Sequence, residues 1–198
     1  ELGRIDAARA LLEGALAEMQ KWPDNEYRRT ECLLADNHLA QMWIALGRAD
    51  EAAQVLARDA TGVAERFYGR RLTLRLRWQR VFGQIDDALH AETRAVAERL
   101  ASPFNRTLME LELARLWPPQ RAMAELRRLH DSPVAVQRPG LQLHAATLGA
   151  QAALAAGDAQ AARVFAEAAR ALHARCALRQ PSCRMVHSVL AAVSLQTA

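Results

Sequence analysis

One short phrase recurs along this chain and limits what it can fold into. GRIDAA stands at residues 3–8, GRADEA at 47–52, GQIDDA at 83–88 and GDAQAA at 157–162. Between the last two, residues 116–126 read LWPPQRAMAEL, with Pro118 and Pro119 where a glycine stands elsewhere. The alanines closing the phrases are Ala8, Ala52, Ala88, Ala122 and Ala162, at intervals of 44, 36, 34 and 40 residues. A recurrence of this length is the spacing of helical hairpins stacked in a row.

Each position in the phrase has a physical reason. Glycine ends a helix because it tolerates a positive φ. An aspartate just after it caps the next helix, or sits in its first turn, where the helix dipole favours negative charge. The alanine marks a place where two helices approach closely, so that a larger side chain would push them apart. Prolines can replace the glycine turn because the first turn of a helix needs no amide donors.

The composition agrees with helix throughout. Apolar residues make up 51% of the 198 but aromatics only 5%, so alanine and leucine carry the core. No short run rich in Val, Ile, Thr and aromatics is bounded by turn signals, and no strand is expected. The predicted helices run over 5–20, 25–46, 49–60, 62–82, 86–101, 104–117, 119–130, 134–156, 159–178 and 182–196. Their breaks are WPDN at 22–25, SPFN at 102–105, DSP at 131–133 and RQPS at 179–182. None of these is long enough to be a domain linker. The reading is all-α: a single domain over 1–198, a right-handed superhelix of antiparallel helix hairpins with about ten helices.

Several function classes drop out. No uncharged apolar run approaches the ~18 residues that span a bilayer. Glu1 opens mid-pattern, without the features of a signal peptide. Cys32, Cys176 and Cys183 do not make a disulfide framework, so a cytoplasmic setting is expected. The net charge of +4 rests on arginine, Lys21 being the only lysine. That balance reads as a compositional preference and not as a nucleic-acid footprint. Phosphate-cradling, dinucleotide, zincin and nucleophile-elbow motifs are missing, so no enzyme and no cofactor is expected.

The pattern resembles the tetratricopeptide repeat, in which GDYDEA joins the two helices of a unit; GRADEA and GQIDDA are similar to it. The likeness covers essentially the whole chain, although most intervals exceed 34 residues and the aromatic consensus positions are mostly missing. The irregular, Ala/Arg/Leu-rich style is similar to the helical-repeat domain of MalT-type LuxR-family bacterial transcriptional regulators. Against that pattern, residues 1–3 read as the end of an absent first helix, and the chain as a fragment of a longer protein. An uncovered end of this kind could also pair with another copy.

Candidate binding residues follow from the helix at 62–82. Arg66, Arg70, Arg77 and Arg80 fall within one arc of about 80°. Phe67, Leu74, Trp78 and Val81 flank it on one side, Leu72 and Leu76 on the other. In the repeat register the resemblance to tetratricopeptide proteins implies a concave groove lined by Asn37 and Gln41, then Arg70, Thr73, Arg77 and Arg80, then Thr107, and finally His144, Thr147 and Gln151. Arginine forks and hydroxyls suit carboxylates and phosphates. The bland alternative is an exposed, solvated face whose arginine stems cover apolar neighbours.

A second constellation is His173, Cys176, Cys183 and His187. Two cysteines and two histidines on the arms of a hairpin are a zinc-like set, in non-standard spacing. Buried core cysteines, or a disulfide between Cys176 and Cys183, explain the same residues. Trp43, Trp78 and Trp117 read as core packing between repeats, and Cys32 as core.

The leading functional expectation is a non-enzymatic module, the sensor or interaction segment of a bacterial transcriptional regulator. It would bind an acidic peptide or a small anionic ligand in the groove. A free-standing adaptor is the alternative. Nucleic-acid binding along the arginine arc is the third reading, and it lacks the aromatic interleaving of a single-strand platform. No membrane contact is expected.

Overall fold

The computed structural model describes residues 2–83, 86–176 and 192–193, and all of its regular structure is helical. Ten helical segments follow one another: α1 (Leu2–Met19), α2 (Glu26–Ala45), α3 (Ala49–Leu56), α4 (Glu65–Phe82), α5 (Asp87–Arg99), α6 (Pro103–Ala114), α7 (Pro119–His130), α8 (Pro133–Val136), α9 (Pro139–Ala155) and α10 (Ala159–Cys176). Among the described residues no helix is long and apolar enough to cross a membrane. The chain divides into two compact units, Glu1–Asn105 and Arg106–Ala198, with α6 crossing the boundary. The helix expected over 182–196 lies almost wholly outside the described residues.

The glycine of the recurrent phrase ends a helix with positive φ in two places and not in two others. At Gly47 and Gly157, φ is +74° and +73°. The amide after each glycine donates back five residues, Arg48 to the Trp43 carbonyl and Asp158 to the Ala153 carbonyl, both at 2.9 Å. This is the glycine-terminated helix end that closes the orphan carbonyls of α2 and α9. Gly83 departs from expectation. It ends α4 in extended backbone, φ −140° and ψ −165°, and needs no glycine freedom. Gly3 is a second correction: α1 runs through it. A glycine among the unpaired amides of a first turn costs a helix little.

The close-contact alanine holds in three phrases. Ala52 and Ala162 are fully buried and Ala122 nearly so. Ala8 and Ala88 are exposed. The difference at Ala88 is one of phase. α3, α7 and α10 start so that their alanine is the fourth helical residue. In α5 the cap is Asp86, whose side chain accepts from the Ala88 amide at 2.9 Å. Ala88 is then only the second helical residue, and Leu89 turns inward in its place.

Two further boundaries moved. The helix expected at 134–156 is broken before Pro139. The residue preceding a proline is pushed out of helical backbone, and Arg138 stands at φ −133°, ψ 85°. Pro139 then opens α9 without needing a donor. The helix expected at 49–60 stops at Leu56. Asp59 takes both the amide and the hydroxyl of Thr61 at 2.9 Å, a local bonding pattern that competes with helix.

In the first unit one core joins four helices: Leu16 and Met19 of α1, Leu39, Ala40, Trp43 and Ile44 of α2, Ala52, Val55 and Leu56 of α3, and Leu74 of α4. Cys32 packs half-buried against this core. Burial, then the charge of Asp36, push its thiol above the ordinary range. α5 lies against α4. In the second unit α9 is the central helix, packed on α7 and α10. Gly149 of α9 lets the Phe165 ring of α10 come close, and a Cβ there would stand 2.5 Å from a ring carbon. Trp43 is buried. Trp78 is half-buried and donates Nε1–H to the Ala49 carbonyl at 2.9 Å. Trp117 lies under the Arg121 guanidinium, 4.0 Å from the ring centroid.

Candidate functional site

Helix α4 is amphipathic in an unusual way. Two polar sides lie roughly opposite each other at about 100° per residue, separated by apolar strips. One side is the arc Arg66, Arg70, Thr73, Arg77 and Arg80. The other carries Tyr68, Arg71, Arg75 and Gln79.

On the first side the structure brings together Gln41 of α2 and Arg70 of α4. Arg70 Nη2 donates to Gln41 Oε1 at 2.9 Å. Both residues are exposed. Among the described residues no carboxylate forms an ion pair with Arg70. Its guanidinium is pulled below the ordinary arginine range, first by partial desolvation and then by the like charge of Arg77. Arg77 and Arg80 are half-buried on the same helix, and Arg66 stacks over Phe67 at 4.6 Å. Thr73 spends its hydroxyl on its own helix, donating to the Arg70 carbonyl at 2.7 Å.

Other residues expected on the groove surface are not available to a ligand. Asn37 is completely buried, and its side-chain oxygen is occupied within the unit. It sits on the side of α2 that packs towards α4, because the α2 core pattern Leu33, Leu39, Ala40, Trp43 surrounds it. In the second unit Thr147 is buried and donates to the Leu143 carbonyl at 2.8 Å; Thr107 is buried as well. Thr147 is thus a packing residue that satisfies its hydroxyl locally. His144 and Gln151 are half-buried on α9. In the cysteine–histidine set, His173 lies on α10, Cys176 ends that helix, and Cys183 and His187 fall outside the described residues. Among the described residues no three His, Cys, Asp or Glu side chains converge as a metal set.

Sequence reasoning missed the most deeply buried arginine among the described residues. Arg71 is 1% exposed. Its Nε donates to Asn37 Oδ1 at 2.8 Å and its Nη1 to the Val55 carbonyl at 2.7 Å. The second bond reinforces a carbonyl in the last turn of α3 that otherwise accepts from the Arg58 amide at 3.3 Å, so one side chain ties α2, α3 and α4 together. Asp36 completes the cluster: Arg58 Nη1 stands at 2.5 Å and Arg71 Nη2 at 3.6 Å from its carboxylate. Burial raises the Asp36 carboxyl above its usual range, and the two arginines only partly offset this. Burial likewise depresses Arg71, against the favourable charge of Asp36. The spacing Tyr68, Arg71, Arg75, Trp78 was the available signal. It is a helix side in its own right, which the arc at 66, 70, 77 and 80 drew attention away from.

This second side opens on a cleft of about 880 Å³. Segment 57–63 and the end of α3 form one wall; Tyr68, Arg71, Arg75, Trp78 and Gln79 form the other. Tyr68 donates its hydroxyl to Glu92 of α5 at 2.5 Å. Burial, then this bond, raise its pKa. Arg29 of α2 holds the outer edge of the segment, donating from Nε to the Gly62 carbonyl at 3.3 Å.

Compared with family models, curated proteins and solved structures, the chain matches none.

Proposed function

We propose that this chain is a non-enzymatic binding module, a tetratricopeptide-like array of helix hairpins wound as a right-handed superhelix. In this reading it is the sensor or interaction segment of a bacterial transcriptional regulator. It captures an acidic peptide or another carboxylate-bearing partner on the surface shared by α2 and α4. The observation that carries the reading is the pairing of Arg70 with Gln41. A neutral amide of one helix orients the guanidinium of the next, and the like charge of Arg77 stands nearby. Two crowded cations, at least one of them without a carboxylate of its own, gain most from an incoming anion.

A fluorescent glutamate-rich peptide tests this by anisotropy. Binding should saturate, weaken with added salt, and fall at least about tenfold in the Arg70→Glu, Arg77→Glu double variant, since each lost charge-assisted contact is worth about 1.5–3 kcal/mol. The helical circular dichroism should stay unchanged. Equal affinity in the double variant would refute the assignment.

A further inference from the structure

The cleft on the other side of α4 has a structural origin. α3 runs antiparallel to α4, with Ala49 beside Trp78 and Val55 beside Arg71. It has eight residues where α4 has eighteen. Beyond Arg71, towards Tyr68 and Glu65, α4 meets segment 57–63 and not a helix, and the opening continues along α4 past Arg75 to Gln79. The space left open, about 880 Å³, falls in the range of about 300–1,000 Å³ typical of small-molecule sites.

Its polar groups are unequally occupied. The acids around it already have partners. Glu65 holds Arg99 at 2.7 Å, Glu92 accepts from Tyr68, Asp59 accepts from Thr61 and Asp36 holds Arg58. Arg75 is different. Its nearest carboxylate oxygen, on Glu92, is 3.9 Å away, beyond hydrogen-bond reach, and its side chain is 40% exposed. Among the described residues its guanidinium makes no hydrogen bond. Gln79 uses its oxygen to accept from the Asp86 amide at 3.0 Å, which leaves its NH2 as a donor. Facing these donors are Ala53, Leu56 and Ala57, with the half-buried ring of Trp78 beside them.

We infer that this cleft is a second, separate binding site, for a small amphiphilic organic anion. The acidic head rests on Arg75 and the Gln79 amide, and an apolar or aromatic body lies against Leu56, Ala57 and Trp78. A planar guanidinium recognises carboxylate, sulfonate or phosphate oxygens two at a time, and the wall opposite removes apolar surface from water. The site does not depend on the acidic-peptide reading, because it uses the opposite side of α4.

The probe is 1-anilinonaphthalene-8-sulfonate, with the uncharged N-phenyl-1-naphthylamine as its partner lacking the sulfonate. The full chain should bind the sulfonate at one saturable site and the neutral compound more weakly. Arg75→Gln should weaken the sulfonate about tenfold and leave the neutral compound unchanged. Ala57→Trp fills the cleft from an exposed helix end without touching a charge, and should abolish both. Arg70→Glu should change neither, which separates this site from the arc on the other side. Fluorescence that rises without saturation would overturn the inference. So would an Arg75→Gln variant that binds the sulfonate as well as the parent, or an Ala57→Trp variant that still binds.

Discussion

Replacing Arg71 with methionine keeps an unbranched apolar stem and removes the guanidinium fork. Asn37 Oδ1 is then orphaned, and the Val55 carbonyl loses its shorter bond but keeps the Arg58 amide at 3.3 Å. An unsatisfied buried group costs about 1–3 kcal/mol. Asn37 is completely buried and falls towards the upper end. The Val55 carbonyl still accepts from the Arg58 amide, so the cost there is at the lower end. Asp36 keeps Arg58 at 2.5 Å, so the 3–5 kcal/mol typical of a stranded buried charge is not reached. Together the loss comes to about 3 kcal/mol. With a urea slope of about 2 kcal/mol/M, the midpoint should fall by about 1.5 M. Tryptophan fluorescence reads the transition, since Trp22, Trp43 and Trp78 all lie in the first unit. Arg71→Lys should recover less than half of the loss, because one ammonium cannot serve two acceptors on different helices as a fork does. A fall of less than about 0.5 M, or full rescue by lysine, would mean that these bonds do not hold α2, α3 and α4 together.

Two further outcomes follow from the same geometry. Burial raises the Asp36 carboxyl, so the native state holds this proton more tightly than the unfolded chain. Its contribution to stability is complete below the unfolded carboxylate range, about pH 4, and is lost as pH climbs through the raised native value; the stability of the parent relative to Asp36→Asn, from urea midpoints between about pH 3.5 and 6, should fall with pH, and a rising difference would contradict the assigned direction. Ala52→Leu should cost about 1–3 kcal/mol through overpacking whereas Ala88→Leu should stay within about 0.5 kcal/mol, and thermal melts giving equal losses would refute the phase difference between α3 and α5.

The helices were legible because their punctuation is local. Asn25 caps α2 by accepting from the Arg28 amide at 2.8 Å, Pro119 opens α7, and Gly47 and Gly157 close α2 and α9. Each needs only its neighbours in sequence. Pro139 carries an equally local signal, and it is where the helix expected over 134–156 breaks. The candidate site was less legible because it depends on which side of α4 meets which neighbour. An arc of arginines is visible on a helical wheel. That Arg71 would be drawn inside depends on Asn37 and Val55, 34 and 16 residues away in sequence. The cleft depends on where α3 stops, and the segment that follows it is held by bonds from Thr61 to Asp59.

The exposed Ala88 has a consequence for how such chains change over time. A hairpin array carries something like a reading frame, but the frame is counted from the helix cap and not from the glycine that catches the eye. Two residues gained in the turn before α5 would displace the written phrase by roughly 200° of helix rotation, yet the helix simply begins later and a neighbouring leucine takes the inward place. The same two residues gained inside α5 would turn every later side chain away from its neighbour. Turns therefore absorb length changes that helices cannot. Over many such events, letters that still align cease to occupy equivalent places, and likeness of wording outlasts likeness of role.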